Sequence, residues 1–165
     1  MAALASRKHS TSTSRGPADW TRPPIPDEPA PVLTELQRVI PIAASQTRQE
    51  LTITLLSLEC YAEGLLLRGR FTPKYGQIGP GNVFLFHPII EARDDAGTAY
   101  RCWPKGRDRE RFSSVLAPAL PPEARELRLE VTEARWTFFQ QQRHLRDVGP
   151  WSFTVDVGRS ATWGS

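Results

Sequence analysis

The stretch from Leu51 to Phe71 constrains the fold of this chain more than any other feature. It reads LTITLLSLECYAEGLLLRGRF, two runs rich in Leu, Ile and Thr that are separated by Ala62, Glu63 and Gly64. This pattern predicts a β-hairpin in which Gly64 supplies the positive φ of a tight turn.

The same two runs predict which faces are buried. In the first run the parity of the hydrophobic residues changes after Leu55, so the strand is either buried on both faces or bulged near Leu55. In the second run hydrophobic residues alternate with arginines, and Leu66 is the apolar exception. One dry face and one wet face are typical of an antiparallel sheet packed on one side.

The rest of the chain repeats this pattern. Turn residues separate short alternating runs, and no long amphipathic helix interrupts them, which favours an all-β, antiparallel sandwich of about seven to eight strands over a barrel. The further strands are predicted at a short edge strand between Leu33 and Ile42, and at Val83 to Arg93, Thr98 to Trp103, Arg111 to Leu116, Leu127 to Thr132 and Trp151 to Val157.

Two local signals refine these strands. Pro88 lies inside the fourth run, where it predicts an edge strand or a bulge because proline cannot donate to a ladder. Asp94 to Gly97 has the residue preferences of a type I turn, with Asp first and Gly fourth.

Proline usage sets the predicted domain limits. Of 15 prolines, six fall between Gly16 and Pro31, in a segment with almost no periodic hydrophobic residues. We therefore expect a disordered N-terminal tail at residues 1–32, a β-sandwich domain at 33–158 and a flexible C-terminus at 159–165.

Composition excludes several classes of protein. No run approaches the roughly 18 apolar residues of a membrane helix, and the first residues lack the apolar core of a secretory signal, so the expected location is cytoplasmic. The net charge is +3 and the sequence pI about 9.2. This bias is small for the length, which makes nucleic acid an unlikely partner.

Four short motifs, ECYAEG, DDAGTAY, PALPPEARELRL and GPWSFTVDV, resemble immunoglobulin-like sandwich domains of uncharacterised bacterial proteins. Some of these domains form the extracytoplasmic part of anti-sigma-factor-like membrane proteins. The resemblance covers roughly Val39 to Val157 and implies an architecture without an agreed activity.

No catalytic or metal-binding pattern is present, so we expect a protein that is not an enzyme and takes no cofactor. The three histidines lack ligand spacing, and Cys60 and Cys102 have no CxxC or HxxxH partner. The two cysteines are expected to be buried reduced thiols. Asp94 and Asp95 could share a cation, but a DDxG sequence is usually only a turn.

A basic stretch is one candidate binding region. Cations alternate with acids around a tryptophan, a pattern that could stack bases and contact phosphates, or could form a solvated loop between residues 104 and 110. The candidate residues are Arg101, Trp103, Lys105, Arg107 and Arg109.

The segment WTFFQQQRHL is the candidate contact surface, because a connection between two strands is normally polar and short. Its aromatic residues either close one end of the core or are exposed for a partner. The candidates are Trp136, Phe138, Phe139 and Leu145.

The functional expectation is a non-catalytic β-sandwich module that binds a protein partner or self-associates. Two alternatives are a module that binds a small ligand or glycan through exposed tryptophans, among Trp103, Trp136 and Trp151, and a basic protein associated with nucleic acid.

Overall fold

The computed structural model describes residues 25–72, 84–108, 110–140 and 142–158, and these residues form an all-β protein of eight antiparallel strands without a helix. The strands make one curled sheet, a half-barrel, in the order β1-β2-β3-β6-β5-β4-β7-β8. They are β1 (Leu36–Arg48), β2 (Leu51–Tyr61), β3 (Leu65–Thr72), β4 (Phe84–Asp94), β5 (Ala99–Asp108), β6 (Arg111–Ala117), β7 (Glu126–Phe138) and β8 (Arg143–Asp156).

The predicted central hairpin is confirmed as β2 and β3. The Tyr61 amide donates to the Gly64 carbonyl across the turn at 2.8 Å. A register shift between Leu55 and Ser57 in the β2–β3 pairing is the bulge that the parity change indicated. Gly64 is required for a different reason than positive φ: a Cβ there would lie 2.6 Å from the Leu116 carbonyl oxygen.

The first strand is much longer than the short edge strand predicted from the sequence. β1 pairs with β2 through a two-residue turn at Gln49 and Glu50, whose φ angles of 50° and 64° are both positive. Such a turn matches the right-handed twist of the strands but normally uses Asn or Gly. The absence of those residues concealed this hairpin in the sequence.

The predicted turn between β4 and β5 is confirmed. The Gly97 amide donates to the Asp94 carbonyl at 3.2 Å, and Gly97 has a φ of 92°. The expected loop at residues 104–110 is wrong, because β5 continues to Asp108 and pairs with β6. A register shift between Pro104 and Gly106 carries the strand past the proline, so the proline bends the strand without ending it.

The predicted connection WTFFQQQRHL is also wrong, because its two ends belong to the paired strands β7 and β8. A bulge between Val131 and Glu133 reverses the inward parity of β7, after which Ala134 and Trp136 face the core. The sequence therefore loses its alternation at the bulge although the strand continues.

The core lies in the concavity of the curled sheet. Its largest fully buried side chains come from β2, β3, β6, β7 and β8: Phe71, Trp136 and Trp151, with several leucines and Ile53. Phe71 stacks on Phe86 with ring centroids 3.8 Å apart, and Trp136 contacts both rings. These aromatics join β3, β4 and β7 through one ring cluster in the core.

The two outermost strands, β1 and β8, approach each other through side-chain bonds. The Arg38 guanidinium donates to the Val157 carbonyl at 2.7 Å, and the Ser152 amide donates to the Gln46 side-chain oxygen at 2.7 Å. These two hydrogen bonds therefore link the N-terminal strand β1 to the C-terminal end of the sheet.

Residues 1–24 of the predicted tail and residues 159–165 lie outside the described part of the chain. Within the described ranges, no helix has the length and apolar character needed to cross a bilayer.

Candidate functional site

The hairpin of β4 and β5 opens soon after its turn. The two strands pair only at Ala92 with Tyr100 and Arg93 with Ala99. If the same register continued, Pro88 would stand directly opposite Pro104. Neither residue has an N–H to donate, so the ladder cannot resume there, and among the described residues the facing edges of β4 and β5 do not pair with each other beyond Ala92 and Tyr100. The prediction of an edge strand or bulge at Pro88 is thereby confirmed.

The separation leaves a cleft between the two edges, which we call the β4–β5 cleft. The part nearer the β4–β5 turn has a cavity volume of about 280 Å³, and residues 25 and 26 of the N-terminal segment line it. The walls come from residues 87–91 of β4, residues 100–104 of β5 and Ser114 of β6. A second part, which we call the lower cleft, lies farther from that turn and is lined by Phe86, Lys105 and Phe112.

Beside the cleft, the convex face of the sheet carries an apolar strip. The strip is a row of cross-strand partners on β3, β6 and β5, namely Leu66, Val115 and Trp103. Glu59 of β2 pairs with Leu66 and borders the strip. The three residues of the strip are buried and form a cluster separate from the core. We call Leu66, Val115, Trp103 and their half-buried neighbours Tyr61 and Ala117 the outer-face groove.

The groove is covered by residues 25–34, which we call the strap. Ala30 and Leu33 pack against the cluster of Leu66, Trp103 and Val115. This contact explains Leu66, the apolar exception in the sequence of β3. Residues 25–32 were assigned to the predicted tail, yet in the structure part of this segment contacts the sheet.

At β5 the strap is held by two polar contacts to Glu28. The Trp103 indole Nε1 donates to the Glu28 carbonyl at 2.9 Å, and the Arg101 guanidinium forms an ion pair with the Glu28 carboxylate. Backbone and side chain of one acidic residue are both recognised. No local pattern marks Glu28 as a contact residue, because its partners lie more than 70 positions away in the sequence.

At its other end the strap is fixed to the β2–β3 turn. The Thr34 amide donates to the Glu63 carboxylate at 3.2 Å, and the Thr34 hydroxyl donates to its second oxygen. These donors lower the pKa of the Glu63 carboxyl. The strap therefore crosses the convex face from β5 to β2 before β1 begins.

A charged pair borders the groove. The Arg68 guanidinium donates to the Glu59 carboxylate, and the Tyr61 hydroxyl donates to it at 2.8 Å. Burial raises the pKa of Glu59, but the bonds from Arg68 and Tyr61 and the charge of Lys105 outweigh it and leave that pKa lowered. Glu59 is thus an anion held beside the apolar strip.

The structure brings together three of the residues predicted as a basic loop. Arg101 and Trp103 lie two positions apart on β5 and share the convex face of the sheet. Lys105 lies at the register shift between Pro104 and Gly106, close enough for its charge to act on Glu59 of that face. Arg107 also belongs to β5, but its side chain and the whole of Arg109 lie outside the described part.

The predicted contact surface is divided between core and solvent. Trp136 is fully buried, and its Nε1 donates to the buried Asp147 carboxylate at 3.1 Å. Phe138 and Leu145 are partly buried against the core, and Phe139 at the turn is 54% exposed. Of the two explanations drawn from the sequence, a role in the core or exposure to a partner, the first therefore describes Trp136, Phe138 and Leu145.

The expectation of exposed tryptophans is wrong for Trp103, Trp136 and Trp151, which are 7%, 1% and 0% exposed. The sequence did not indicate this burial, because it depends on distant contacts and on a bulge. The strap covers Trp103, and the bulge in β7 turns Trp136 toward the core. These three residues provide no open platform on which a sugar ring could stack.

The two cysteines are free, and they stand in one row of cross-strand partners, Cys60, Leu65, Leu116 and Cys102. Three strand spacings amount to about 14 Å, which is too far for a disulfide without rearrangement. Burial raises the pKa of both thiols, that of Cys102 to about 12, with a further contribution from Glu91.

The adjacent aspartates act as turn residues. Asp94 is buried and accepts bonds from the Thr98 amide at 2.8 Å and the Tyr100 hydroxyl at 2.7 Å. Asp95 accepts from the amides of Arg125 and Glu126, which lower its pKa. Among the described residues, no three His, Cys, Asp or Glu side chains are grouped to hold a metal ion.

Comparison with known proteins yields one informative match. No protein-family model and no curated protein matches the chain. A solved structure, "The crystal structure of the conserved domain protein from Bacillus anthracis", is similar with a TM-score of 0.50 and 12% sequence identity. The match covers 73% of this chain and 48% of that chain, so this chain spans about half of its length. At this identity the likeness concerns the fold alone.

Proposed function

We propose that this chain is a non-catalytic, immunoglobulin-like β-sandwich module that binds an extended segment of a protein partner at the open edges of β4 and β5. The observation that carries the proposal is the β4–β5 cleft, in which two strand edges separate around Pro88 and Pro104. Open edges bind extended peptides through main-chain hydrogen bonds, while the adjoining pockets select side chains.

The strand order supports the immunoglobulin-like part of the proposal. Without β1, the sequence β2-β3-β6-β5 and the sequence β4-β7-β8 correspond to the ABED and CFG sheets of a constant-type domain. In that arrangement β4 and β5 are the strands C and D, which lie in different sheets. Their early separation follows from that position.

The alternatives have less support. A glycan-binding module would need exposed aromatic rings, whereas Trp103, Trp136 and Trp151 are buried. A nucleic-acid surface would need free cations, whereas Arg101 and Arg68 are paired with Glu28 and Glu59. A cytoplasmic location and the absence of a cofactor stay predictions.

Site-directed photo-crosslinking tests the proposal. A photoreactive phenylalanine analogue replaces Lys105, an exposed residue of β5 that lines the lower cleft, and in a matched variant it replaces the exposed Arg128 on β7. We expect irradiation in host extract to give a defined protein adduct, or a dimer of this chain, at position 105 and not at position 128.

Mass spectrometry then identifies the partner, and the purified partner should protect the amides of β4 and β5 from hydrogen exchange. Equal adducts at both positions, or none at position 105, would contradict binding at this cleft. An adduct to RNA in place of protein would favour the nucleic-acid alternative.

A further inference from the structure

The strap and the outer-face groove have the form of a peptide bound to its site. The strap reads IPDEPAPVLT, with prolines at positions 26, 29 and 31, and it contacts the sheet chiefly through the peptide backbone of Glu28, its carboxylate and the side chains of Ala30 and Leu33. Prolines favour an extended conformation and leave carbonyls free to accept. An indole N–H and an aromatic face are the usual partners of such segments.

The dimensions of the strap agree with an extended chain. Six residue steps from Glu28 to Thr34 span roughly 19 Å in a polyproline conformation. The distance from β5 to β2 across the sheet is three strand spacings, about 14 Å. The strap therefore has slack, and its attachment depends on the contacts at its two ends and on the apolar strip between them.

The charge of the site matches the charge of the strap. Arg101 on the convex face of β5 pairs with Glu28 of the strap, next to Asp27 in the sequence, and Lys105 is a second cation, close enough to act on Glu59 of that face. The Arg101–Glu28 pair is exposed, with side-chain exposures of 59% and 58%. An exposed pair is weak and salt-sensitive, so it can exchange with another carboxylate.

We propose that the outer-face groove is a binding site for acidic, proline-containing segments of a partner protein, and that the strap is its intramolecular occupant. This inference rests on the proposed function of the chain as an interaction module, and it assigns to that module a second site, on the convex face, with a ligand of stated chemistry. The partner segment replaces the strap: its carbonyl accepts from the Trp103 indole, its carboxylate pairs with Arg101, and an apolar residue covers Leu66 and Val115.

The experiment uses the full-length chain and a fluorescein-labelled peptide, IPDEPAPVLT, which copies residues 25–34. A tethered strap competes at a local concentration in the millimolar range. We therefore expect weak binding to the unmodified chain. The double variant Glu28→Ala with Leu33→Ala loosens the strap and should bind the peptide about tenfold more tightly or better, measured by fluorescence anisotropy.

Two matched controls isolate the recognition chemistry. The peptide IPNQPAPVLT, in which both acids become amides, should bind the loosened variant several-fold more weakly, and high salt should remove most of that difference. Adding Arg101→Gln to the loosened variant should abolish the preference for the acidic peptide. Trp103→Phe keeps an aromatic ring but removes the donor, and it should weaken both peptides.

A nuclear magnetic resonance titration supplies an independent readout. The indole N–H resonance of Trp103 is identified by its loss in Trp103→Phe. In the loosened variant it should move on addition of the acidic peptide toward its position in the unmodified chain. If the double variant does not fold, Glu28→Ala alone serves, with a smaller gain in affinity.

The inference is overturned if the folded loosened variant binds the acidic and amide peptides equally, or binds neither. The proposed function fails separately. A protein adduct at position 105 with no binding of the acidic peptide would leave the interaction module in place and remove only this ligand class.

Discussion

Two hairpins of this protein begin alike and end differently. β7 and β8 pair from Glu126 with Asp156 to Phe138 with Arg143, so that the hairpin is closed over its whole length. β4 and β5 pair for two positions and then separate into the cleft. The closed hairpin contributes Trp136 and Trp151 to the core, whereas the two strands of the open one leave a cleft between their facing edges.

The difference does not come from proline alone. Pro150 lies in β8, but it falls within the register shift where Val131 pairs with Trp151 and Glu133 with Val148. The bulge takes up the proline, and pairing resumes on both sides. In the open hairpin, Pro88 and Pro104 would face each other in the continued register, so neither strand can supply the missing donor. The lesson is that a proline inside a bulge leaves a hairpin closed, whereas two prolines at facing positions of the continued register keep the pairing from resuming there.

The largest expected effect belongs to the closed hairpin. Trp136→Ala removes a fully buried ring that contacts Phe71 and Phe86 and leaves Asp147 without the indole donor. Because large-to-small changes in a core cost the transfer free energy and the cavity, we expect the free energy of unfolding to fall by about 3 to 5 kcal/mol. Urea denaturation followed by circular dichroism measures this loss.

Phe139→Ala at the exposed turn is the matched control for the closed hairpin. It should change the free energy of unfolding by no more than about 0.5 kcal/mol. Similar losses for the two variants would show that the turn contributes to stability as the core does, and would remove the distinction between the buried and exposed parts of this segment.

An intermediate effect is expected where the open hairpin is still paired. Tyr100→Phe removes the hydroxyl that donates to the buried Asp94 carboxylate, which keeps the Thr98 amide as a donor. Hydrogen bonds to charged groups contribute about 1.5 to 3 kcal/mol, so the free energy of unfolding should fall by that amount. Burial and the bond to Asp94 raise the pKa of Tyr100, so its hydroxyl is a donor at neutral pH.

Tyr61→Phe is the control for that change, since Tyr61 also donates to a carboxylate, Glu59, but at the partly exposed convex face. Its loss should be smaller, about 0.5 to 1 kcal/mol. A larger loss in the free energy of unfolding for Tyr61→Phe than for Tyr100→Phe would contradict the view that the bond to Asp94 stabilises the paired end of the open hairpin.

The last prediction concerns the access of small molecules to the cleft, and it uses the thiol of Cys102 in the wall of the cleft. Its pKa of about 12 means that only a trace of thiolate exists near pH 8, so alkylation of the native protein by iodoacetamide should be slow. The rate should rise about tenfold per pH unit until the pH approaches that pKa. Intact mass spectrometry over time measures it.

Cys60 provides the comparison, because it is buried in the core away from the cleft. Cys102 should react first at high pH, and both should react at once in denaturant. Preferential modification of Cys60 would indicate that the cleft is closed to small molecules in solution.

Much of the fold could be predicted from local sequence. Alternation identified β2, β3, β4 and β6 close to their observed bounds, and the parity change at Leu55 marked a real bulge. The errors share one cause. At residues 104–108 and 133–138 a bulge interrupts the alternation, so a strand that continues no longer has the period by which a strand is recognised.

The candidate site was only partly predictable. Arg101, Trp103 and Lys105 were singled out as cations interleaved with an aromatic residue, and Arg101 and Trp103 do share one face of β5. Their partner Glu28 was not, because the strap has no periodicity and belongs to a proline-rich segment that composition alone assigns to a tail. Leu66 was the one visible trace of it, as an apolar residue at an outward position.

By itself the sequence determined that this chain is all-β, where most of its strands lie, and which faces of β2 and β3 are dry, since side-chain parity is a property of neighbouring residues. Tertiary structure alone decided that β4 and β5 separate after two pairs, that Cys60 and Cys102 stand three strands apart, and that the strap covers Trp103. These relations depend on register and strand order, which arise when distant segments pair and bury a common core.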